Sequence, residues 1–534
     1  MKSKWVWDRV HSRGRDLLVR VRGCAGSAGR GVHSGSRTRA LWGRRGDAAR
    51  AAGTMKPRLG LALLVVLTGA VVLAGAASGI GTAAPATQCA PGAAYPAATT
   101  PVAFWSTEAR CAIVPPTAGP ENFGNKFPGE AAVYMGIVHV AIYDAAVAIE
   151  GGYKPYTIAL HAPNASPQAA IATAAYDTLV GLQNTNRLRL SPGGRTILDG
   201  DYTAYLAGVS GGATKTDGIT VGQQVAAAVI ALRANDGLDK DPTLNDLNPP
   251  APGPGVWQPN PPAAPATTPP PVLGLRLPAV RPLALQSASQ FRPGPPNPLT
   301  SDEYAADLDQ VELLGRIDST VRTHEETTQA LFWTDHDIRM WNDGMLRLAA
   351  ERGLSLVQTA RMLAMAHVAG ADAMIACFDA KYHYWFWRPS QAIPLANTDG
   401  NPRTVADPTW RPLGNTPNFP EYPSAHACHS SAVVTALDAF FGTDEIPFTL
   451  DSRVTGTTRT YDRLQEIVKD VDLARVLVGF HFLSSDLQGA SLGRKVGRYV
   501  SERYFQPVSC DGFSRLERRP ASCRHVARRG AHQP

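Results

Sequence analysis

Apolar residues recur three and four positions apart through seven stretches of the 534-residue chain: 169–183, 220–234, 325–351, 356–378, 427–441, 463–478 and 487–504. Ala, Leu, Gln, Glu and Arg dominate these stretches, and that period with that composition predicts helices. Alternating β-branched runs bounded by hairpin turns do not stand out, so the expected fold class is all-α. The helices fall into two bundle-like halves, 87–248 and 299–505.

Between the halves, residues 249–298 hold 17 of the chain's 43 prolines. Proline at that density forbids helix and central strand, leaving an extended or irregular arm. The same segment contains Trp257, Leu273, Leu275, Leu277, Leu283 and Phe291. Flexible linkers rarely carry that much apolar surface, so an ordered arm packed over both halves fits the pattern as well as a free tether.

Hydrophobic residues make up 44% of the chain and charged residues 18%, which excludes a disordered charged tail and a collagen-like chain. The formal net charge of +7 is distributed unevenly. Residues 1–54 carry thirteen Lys and Arg against three Asp, and the tail 506–534 is also basic, whereas residues 85–510 carry a net −9. A nucleic-acid footprint needs basic residues clustered on the folded domain, so no nucleic-acid partner is expected.

Met55-Lys56-Pro57-Arg58 precedes an apolar run over 59–77 and a small-residue zone over 78–86. These are the parts of a secretory signal peptide, 55–86. A run of that length also suffices for a membrane anchor, but the small-residue zone and the lack of a basic stop-transfer cluster favour cleavage. The expectation is therefore a secreted protein with no stable membrane anchor. Residues 1–54 are then a basic low-complexity leader that translation from Met55 would omit. Export permits disulfides, and Cys89–Cys111 and Cys510–Cys523 are the local pairs. No CxxC occurs, which argues against a cysteine-built zinc site.

Three short stretches in 299–505 carry the chemistry, which puts the expected active site in the C-terminal half. They are Lys381-Tyr-His-Tyr-Trp-Phe-Trp-Arg388-Pro389, Phe419-Pro-Glu-Tyr-Pro-Ser424-Ala425-His426 and Arg475-Val-Leu-Val-Gly-Phe-His481. Singly, each residue has an ordinary reading: a solvated Arg or Lys, a satisfied core His, an aromatic wall. Together they suit an oxyanion. Two guanidiniums and an ammonium neutralise its charge, while Ser424 and the N–H groups of a helix start cradle further oxygens. One histidine can bond the central atom and the other can move a proton. Other polar candidates are His139 and Asp144 on a helix of the first half, which fit a buried polar pair as well as a catalytic one, and Trp333, Asp335, His336 and Asp337 on a neighbouring helix. Asp372 and Asp379 could orient arginines.

The patterns K-x6-R-P, P-S-A-H and R-x5-H resemble the signature of the vanadium-dependent haloperoxidase and type 2 phosphatidic acid phosphatase superfamily. Phe-Pro-x-Tyr-Pro-Ser-x-His is closer to the haloperoxidase branch, as is the pairing of two helical halves through a Pro-rich arm. The resemblance covers about 122–504. It implies vanadate as cofactor, with His481 on the metal and Lys381, Arg388, Arg475, Ser424 and the N–H of Ala425 on its oxygens. His426 is implied as the acid/base, Lys381 as the group that polarises peroxide, and Phe419 and Phe378 as walls of the halide pocket. Hydrogen peroxide, halide and an organic acceptor would be the partners. Two features depart from the pattern. Ala425 stands where the family has glycine, and Asp486 lies five residues beyond His481 where four is common, which leaves that carboxylate's supporting role open.

A secreted acid phosphatase would use the same residues, with His481 forming a phosphohistidine and His426 protonating the leaving group. The chain length, the N-terminal helical half and the aromatic wall around Lys381 favour the peroxidase. A non-enzymatic anion-binding protein is the third reading.

Overall fold

A computed structural model describes residues 100–114, 126–262 and 265–508. The chain divides into units 1–86 and 87–534, and every described residue belongs to the second. The leader, the signal-peptide segment, Cys89, Cys510 and Cys523 lie outside the described residues. Cys111 is disulfide-bonded, while Cys377 and Cys428 are free and buried.

Among the described residues, five helices build the first half: α1 (Pro101–Ile113), α2 (Pro128–Glu150), α3 (Pro167–Asn184), α4 (Pro192–Ala207) and α5 (Ala213–Leu232). Three of them begin the same way. Thr100, Ser166 and Ser191 each precede a proline, and each hydroxyl accepts the N–H three residues on. The hydroxyl satisfies one orphan donor of the first turn, and proline takes the position whose N–H has no helical partner.

The second half contains α6 (Asp302–Gly315), α7 (His324–Phe332), α8 (Asp337–Glu351), α9 (Leu356–Tyr384), the single turn α10 (Pro389–Ala392), α11 (Ala425–Phe441), α12 (Leu464–Leu477) and α13 (Leu483–Arg503). The stretch 325–351, read as one helix from its period, is two. The chain leaves helical geometry after Phe332, Asp335 Oδ1 accepts the N–H of His336 at 2.6 Å, and α8 starts afresh. A small antiparallel hairpin, β1 (Phe448–Ser452) and β2 (Thr457–Tyr461), interrupts the all-helical pattern. Its turn closes on Gly456 at φ +64°, a left-handed conformation that glycine adopts without cost.

Helices α2 and α9 pack on each other at the centre. Both are long and apolar enough to cross a membrane by length and composition, and both are buried core helices here. Helix α13 lies unusually close to α11. A Cβ on Gly489, Gly493 or Gly497 would stand 2.6, 2.2 or 2.6 Å from the carbonyl oxygens of Ser424, Cys428 and Ala432. These glycines let the start of α13 press against the start of α11.

The proline-rich arm is ordered and tied to both halves. Asp372 on α9 accepts the N–H groups of Leu283, Ala284 and Leu285 at 2.6–2.7 Å. Arg292 pairs with Asp379 through two bonds of 2.7 and 2.9 Å. On the other side, Arg233 at the end of α5 donates to the Pro282 carbonyl at 3.1 Å. Trp257, 1% exposed, donates its backbone N–H to the Trp385 carbonyl at 2.7 Å, and Trp387 donates to Gly255 at 3.0 Å. The arm thus clamps the extended segment that separates Lys381 from Arg388.

Candidate oxyanion site

Lys381 occupies the last turn of α9, which ends when Trp385 turns left-handed at φ +52°. Arg388 caps the start of α10. Phe419 to Pro423 form a loop held from two sides: Leu273 of the arm donates to the Asn418 carbonyl at 3.1 Å, and the Glu421 N–H donates to the carbonyl of Phe386, just after α9, at 2.9 Å. Ser424 is the residue before α11, with its N–H bonded to the Ser485 carbonyl at 3.1 Å. Ala425 opens that helix, where the N–H has no acceptor within the helix. Arg475 comes from α12, and the reverse turn after it brings the N–H groups of Phe480 and His481 back onto the Arg475 carbonyl.

Lys381, Arg388, Ser424, Arg475 and His481 are all buried. The charges of Arg388, Lys381, Arg475 and His426 each disfavour protonation of His481, beneath the larger effect of burial. Five residues from three separate motifs therefore share one small volume. Lys381 Nζ donates to the carbonyls of Pro420 and Glu421 at 3.0 and 2.7 Å. Burial lowers its pKa to about 8. Arg388 donates from Nε to Phe419 O at 2.9 Å and from Nη1 to Phe480 O at 3.0 Å. Arg475 Nη1 donates to the Trp333 carbonyl at 2.7 Å.

Four buried polar atoms here have no hydrogen-bond partner among the described residues: Arg388 Nη2, Arg475 Nε, Ser424 Oγ and His426 Nε2. Ser424 is still close enough to Asp486 to favour the charged form of that carboxylate. Buried donors left unpaired are costly. Here they surround a positive cluster, so a small oxyanion such as phosphate or vanadate would satisfy both the charge and the donors. The residues fit that group. His426 is half-buried as a residue while its Nε2 is buried, and burial, and next the charge of Arg475, depress its pKa to about 3.

The Phe378 and Phe419 ring centres lie 5.1 Å apart, with the rings tilted by 53°. Lys381 Nζ lies 5.1 Å from the Phe419 ring centre, and the Arg388 guanidinium lies 4.7 Å from it. The two rings thus border the cationic side of the site.

Glu421, the middle residue of Phe-Pro-Glu-Tyr-Pro-Ser, was not among the residues the sequence pointed to. Its Oε1 lies 2.8 Å from His481 Nδ1 and accepts the Phe482 N–H at 3.1 Å, while Oε2 accepts from Ser485 Oγ at 2.6 Å. Burial raises its pKa to about 7 against the pull of Ser485 and Lys381. His481 Nε2 stands 3.3 Å from Arg388 Nη1. With an acceptor at Nδ1 and a donor at Nε2, the assigned tautomer carries its proton on Nδ1. A lone carboxylate beside the Pro-Ser-Ala-His residues was the signal available in the sequence.

Asp486 does not take that place. It is fully buried at the start of α13 among Asp472, Ser424 and Arg475, with its pKa raised by burial and by Asp472. Asp337 is buried 3.2 Å from His429 Nδ1, and its charge acts on His426 and His336. Asp379 and Asp372 hold the arm rather than the site arginines. His139 stacks on His367 at 4.1 Å with Nε2 2.9 Å from Ser106 Oγ, and Asp144 accepts the Tyr156 and Thr157 N–H groups. That pair belongs to the core of the first half.

Residues 361–509 match the model of the VCPO second helical-bundle domain. Vanadium chloroperoxidase of Curvularia inaequalis is 30% identical over 151 residues, covering 23% of this chain and 24% of that protein. The match therefore spans about a quarter of that curated relative's length. The structure of the first bacterial vanadium-dependent iodoperoxidase covers 78% of this chain and 99% of its own, with a TM-score of 0.61 at 21% identity. A holo-type bacterial vanadium-dependent chloroperoxidase covers 74% and 95%, with a TM-score of 0.57 at 16% identity. The last two likenesses establish a shared fold.

Proposed function

From the kinship of this chain with the vanadium haloperoxidases, we propose that it is a vanadate-dependent haloperoxidase. It would use hydrogen peroxide to oxidise halide to hypohalous acid, which then halogenates an organic acceptor. The observation that carries the reading is the convergence of Lys381, Arg388, Arg475 and His426 on His481, with four buried polar atoms left unpaired around them. The signal-peptide pattern from Met55 supports export of this enzyme.

Vanadate, when bound, supplies a Lewis acid on which peroxide becomes an oxidant of halide. His481 would hold it through Nε2, the nitrogen left unprotonated while Nδ1–H donates to Glu421. Arg388 Nη2, Arg475 Nε, Ser424 Oγ and the Ala425 N–H would hold its oxygens. His426 is neutral at pH 7, and an anion held beside it would offset the charge of Arg475 and let its Nε2 accept a proton from incoming hydrogen peroxide. Lys381 uses two of its three N–H donors on carbonyls, leaving one for a peroxide oxygen. Phe378 and Phe419 would supply an apolar wall beside the cations for a partly desolvated halide.

Purified protein given vanadate, peroxide and bromide should brominate a phenolic dye. Phosphate release from an aryl phosphate without halide oxidation would move the site to an acid phosphatase. Neither activity, with vanadate affinity retained, would make it an anion-binding protein.

A further inference from the structure

Apart from the oxyanion cradle, a cavity of about 320 Å³ opens between the start of α2 and the arm. Phe127, Val272 and Leu273 give it an apolar lining. Its rim is charged but internally neutralised. Lys126 lies 3.7 Å and Arg276 3.5 Å from Glu130, and Arg276 also pairs with Asp241. An ionic ligand would have to break these pairs, whereas an uncharged one with a hydroxyl or N–H can bond to their outer edges.

Both walls of the cavity lead to the site. On the arm side, Gly274 sits at φ +76°, and a Cβ there would stand 2.2 Å from Phe378 Cε1. The lining backbone therefore rests directly on the Phe378 ring. Phe127 meets the same ring edge-on at 5.6 Å. The Phe378 ring centre in turn lies 5.1 Å from that of Phe419, and Phe419 lies beneath Lys381 and Arg388. On the α2 side, the Lys126 carbonyl lies 2.9 Å from His336 Nε2. His336 adjoins Asp337, whose charge acts on His426. The cavity is thus separated from Lys381 by two aromatic rings and joined to the His426 side through one histidine.

We propose that this cavity binds the organic halogen acceptor, an uncharged, electron-rich aromatic of one or two rings such as a phenol or naphthol. The assignment rests on the haloperoxidase reading for its chemistry. The volume lies at the compact end of ligand pockets, roughly 300–1,000 Å³. The Phe127 ring in its lining suits an aromatic guest. A ring carbon of the acceptor attacks the halogen of hypohalous acid. The carbon–halogen bond forms, the halogen–oxygen bond breaks, and the electron pair leaves on hydroxide. Hydroxide takes the proton lost from that ring carbon, so aromatic C–H and hypohalous acid give the aryl halide and water. Held in the cavity, the acceptor meets hypohalous acid as it leaves the site, and its exposed ring position decides the product.

The test is 2-naphthol binding, followed by its fluorescence, to the full chain and to two variants that fill the cavity from opposite sides, Val272→Trp and Pro242→Trp. Unchanged thermal unfolding selects the variant to be trusted. Affinity for 2-naphthol should fall tenfold or more in each. The ortho-to-para ratio of halogenated phenol should differ from that given by reagent hypohalous acid in the wild type, and revert to it in the variants. Absent naphthol binding, equal affinity in wild type and folded variants, or a wild-type product ratio identical to the reagent's, overturns the proposal. Naphthol binding that is lost in the variants, in a protein that oxidises no halide with vanadate present, upholds the cavity and sinks the haloperoxidase reading.

Discussion

His481 Nδ1 stands 2.8 Å from Glu421 Oε1, and both side chains are buried. The carboxylate comes from the loop before α11 and the imidazole from the turn after α12, so the contact joins two of the three motifs. It fixes the tautomer that leaves Nε2 unprotonated. Removing such an orienting partner weakens a histidine-held metal by roughly 10–100-fold. Glu421→Ala is expected to weaken vanadate retention by that order, with Glu421→Gln, which keeps the shape, falling between. Vanadate titration monitored by halide oxidation checks both.

Glu421 also shows where sequence reading stops. The seven helical stretches were legible because each keeps its apolar period, and the three motifs because their residue types are unusual together. Glu421 sits between prolines with no periodicity to place it, and only the fold turns it toward His481. Asp486 was legible as a spacing anomaly, and the structure gives its reason: the supporting carboxylate comes from the Pro-Ser-Ala-His loop instead. The break at Trp333–His336 is hidden in the sequence because α8 resumes the same pattern. Yet that break frees the Trp333 carbonyl to hold Arg475. The hairpin is hard to read because β1 alternates buried and half-buried positions over five residues only, while Thr-rich β2 is exposed along most of its length.

The arm depends on one carboxylate. Asp372 accepts three consecutive backbone N–H groups, and Asp372→Ala would leave buried donors unpaired at about 1–3 kcal/mol each. The variant should be destabilised by about 3 kcal/mol or more and become sensitive to proteolysis near 280–290. Denaturant titration and mapped limited proteolysis measure the two effects.

Gly274→Ala should also destabilise, by about 1–3 kcal/mol, through a left-handed φ and a methyl driven into Phe378. Because Phe378 packs on Phe419, the change should disturb halide selectivity more than vanadate affinity. Relative rates with iodide, bromide and chloride, set beside vanadate titration, separate the two effects.

Glu108 on α1 is buried, and burial, with Asp201 beside it, lifts its pKa from 4.5 to about 8, against the pull of Arg110. The folded state thus holds this proton more tightly than the unfolded chain does. The stabilising contribution is fully present below about pH 4.5 and disappears as pH rises through about 8. A tenfold difference in proton affinity between the two states is worth about 1.4 kcal/mol, so the effect is on the order of a few kcal/mol. Glu108→Gln should therefore lose less stability than wild type between pH 5 and pH 8 in denaturant titrations. Parallel slopes in the two proteins would show that Glu108 carries no such linkage.

In the proposed reading, His481 anchors an oxyanion whose loading switches on halide oxidation. The decisive quantity is the rate of bromide oxidation by peroxide as vanadate is titrated into metal-free protein, with phosphate as competitor and His481→Ala alongside. The rate should saturate with vanadate, fall with phosphate in a way that excess vanadate relieves, and show no dependence on vanadate in His481→Ala. Halide oxidation that ignores vanadate, or that survives in His481→Ala, would contradict the assignment.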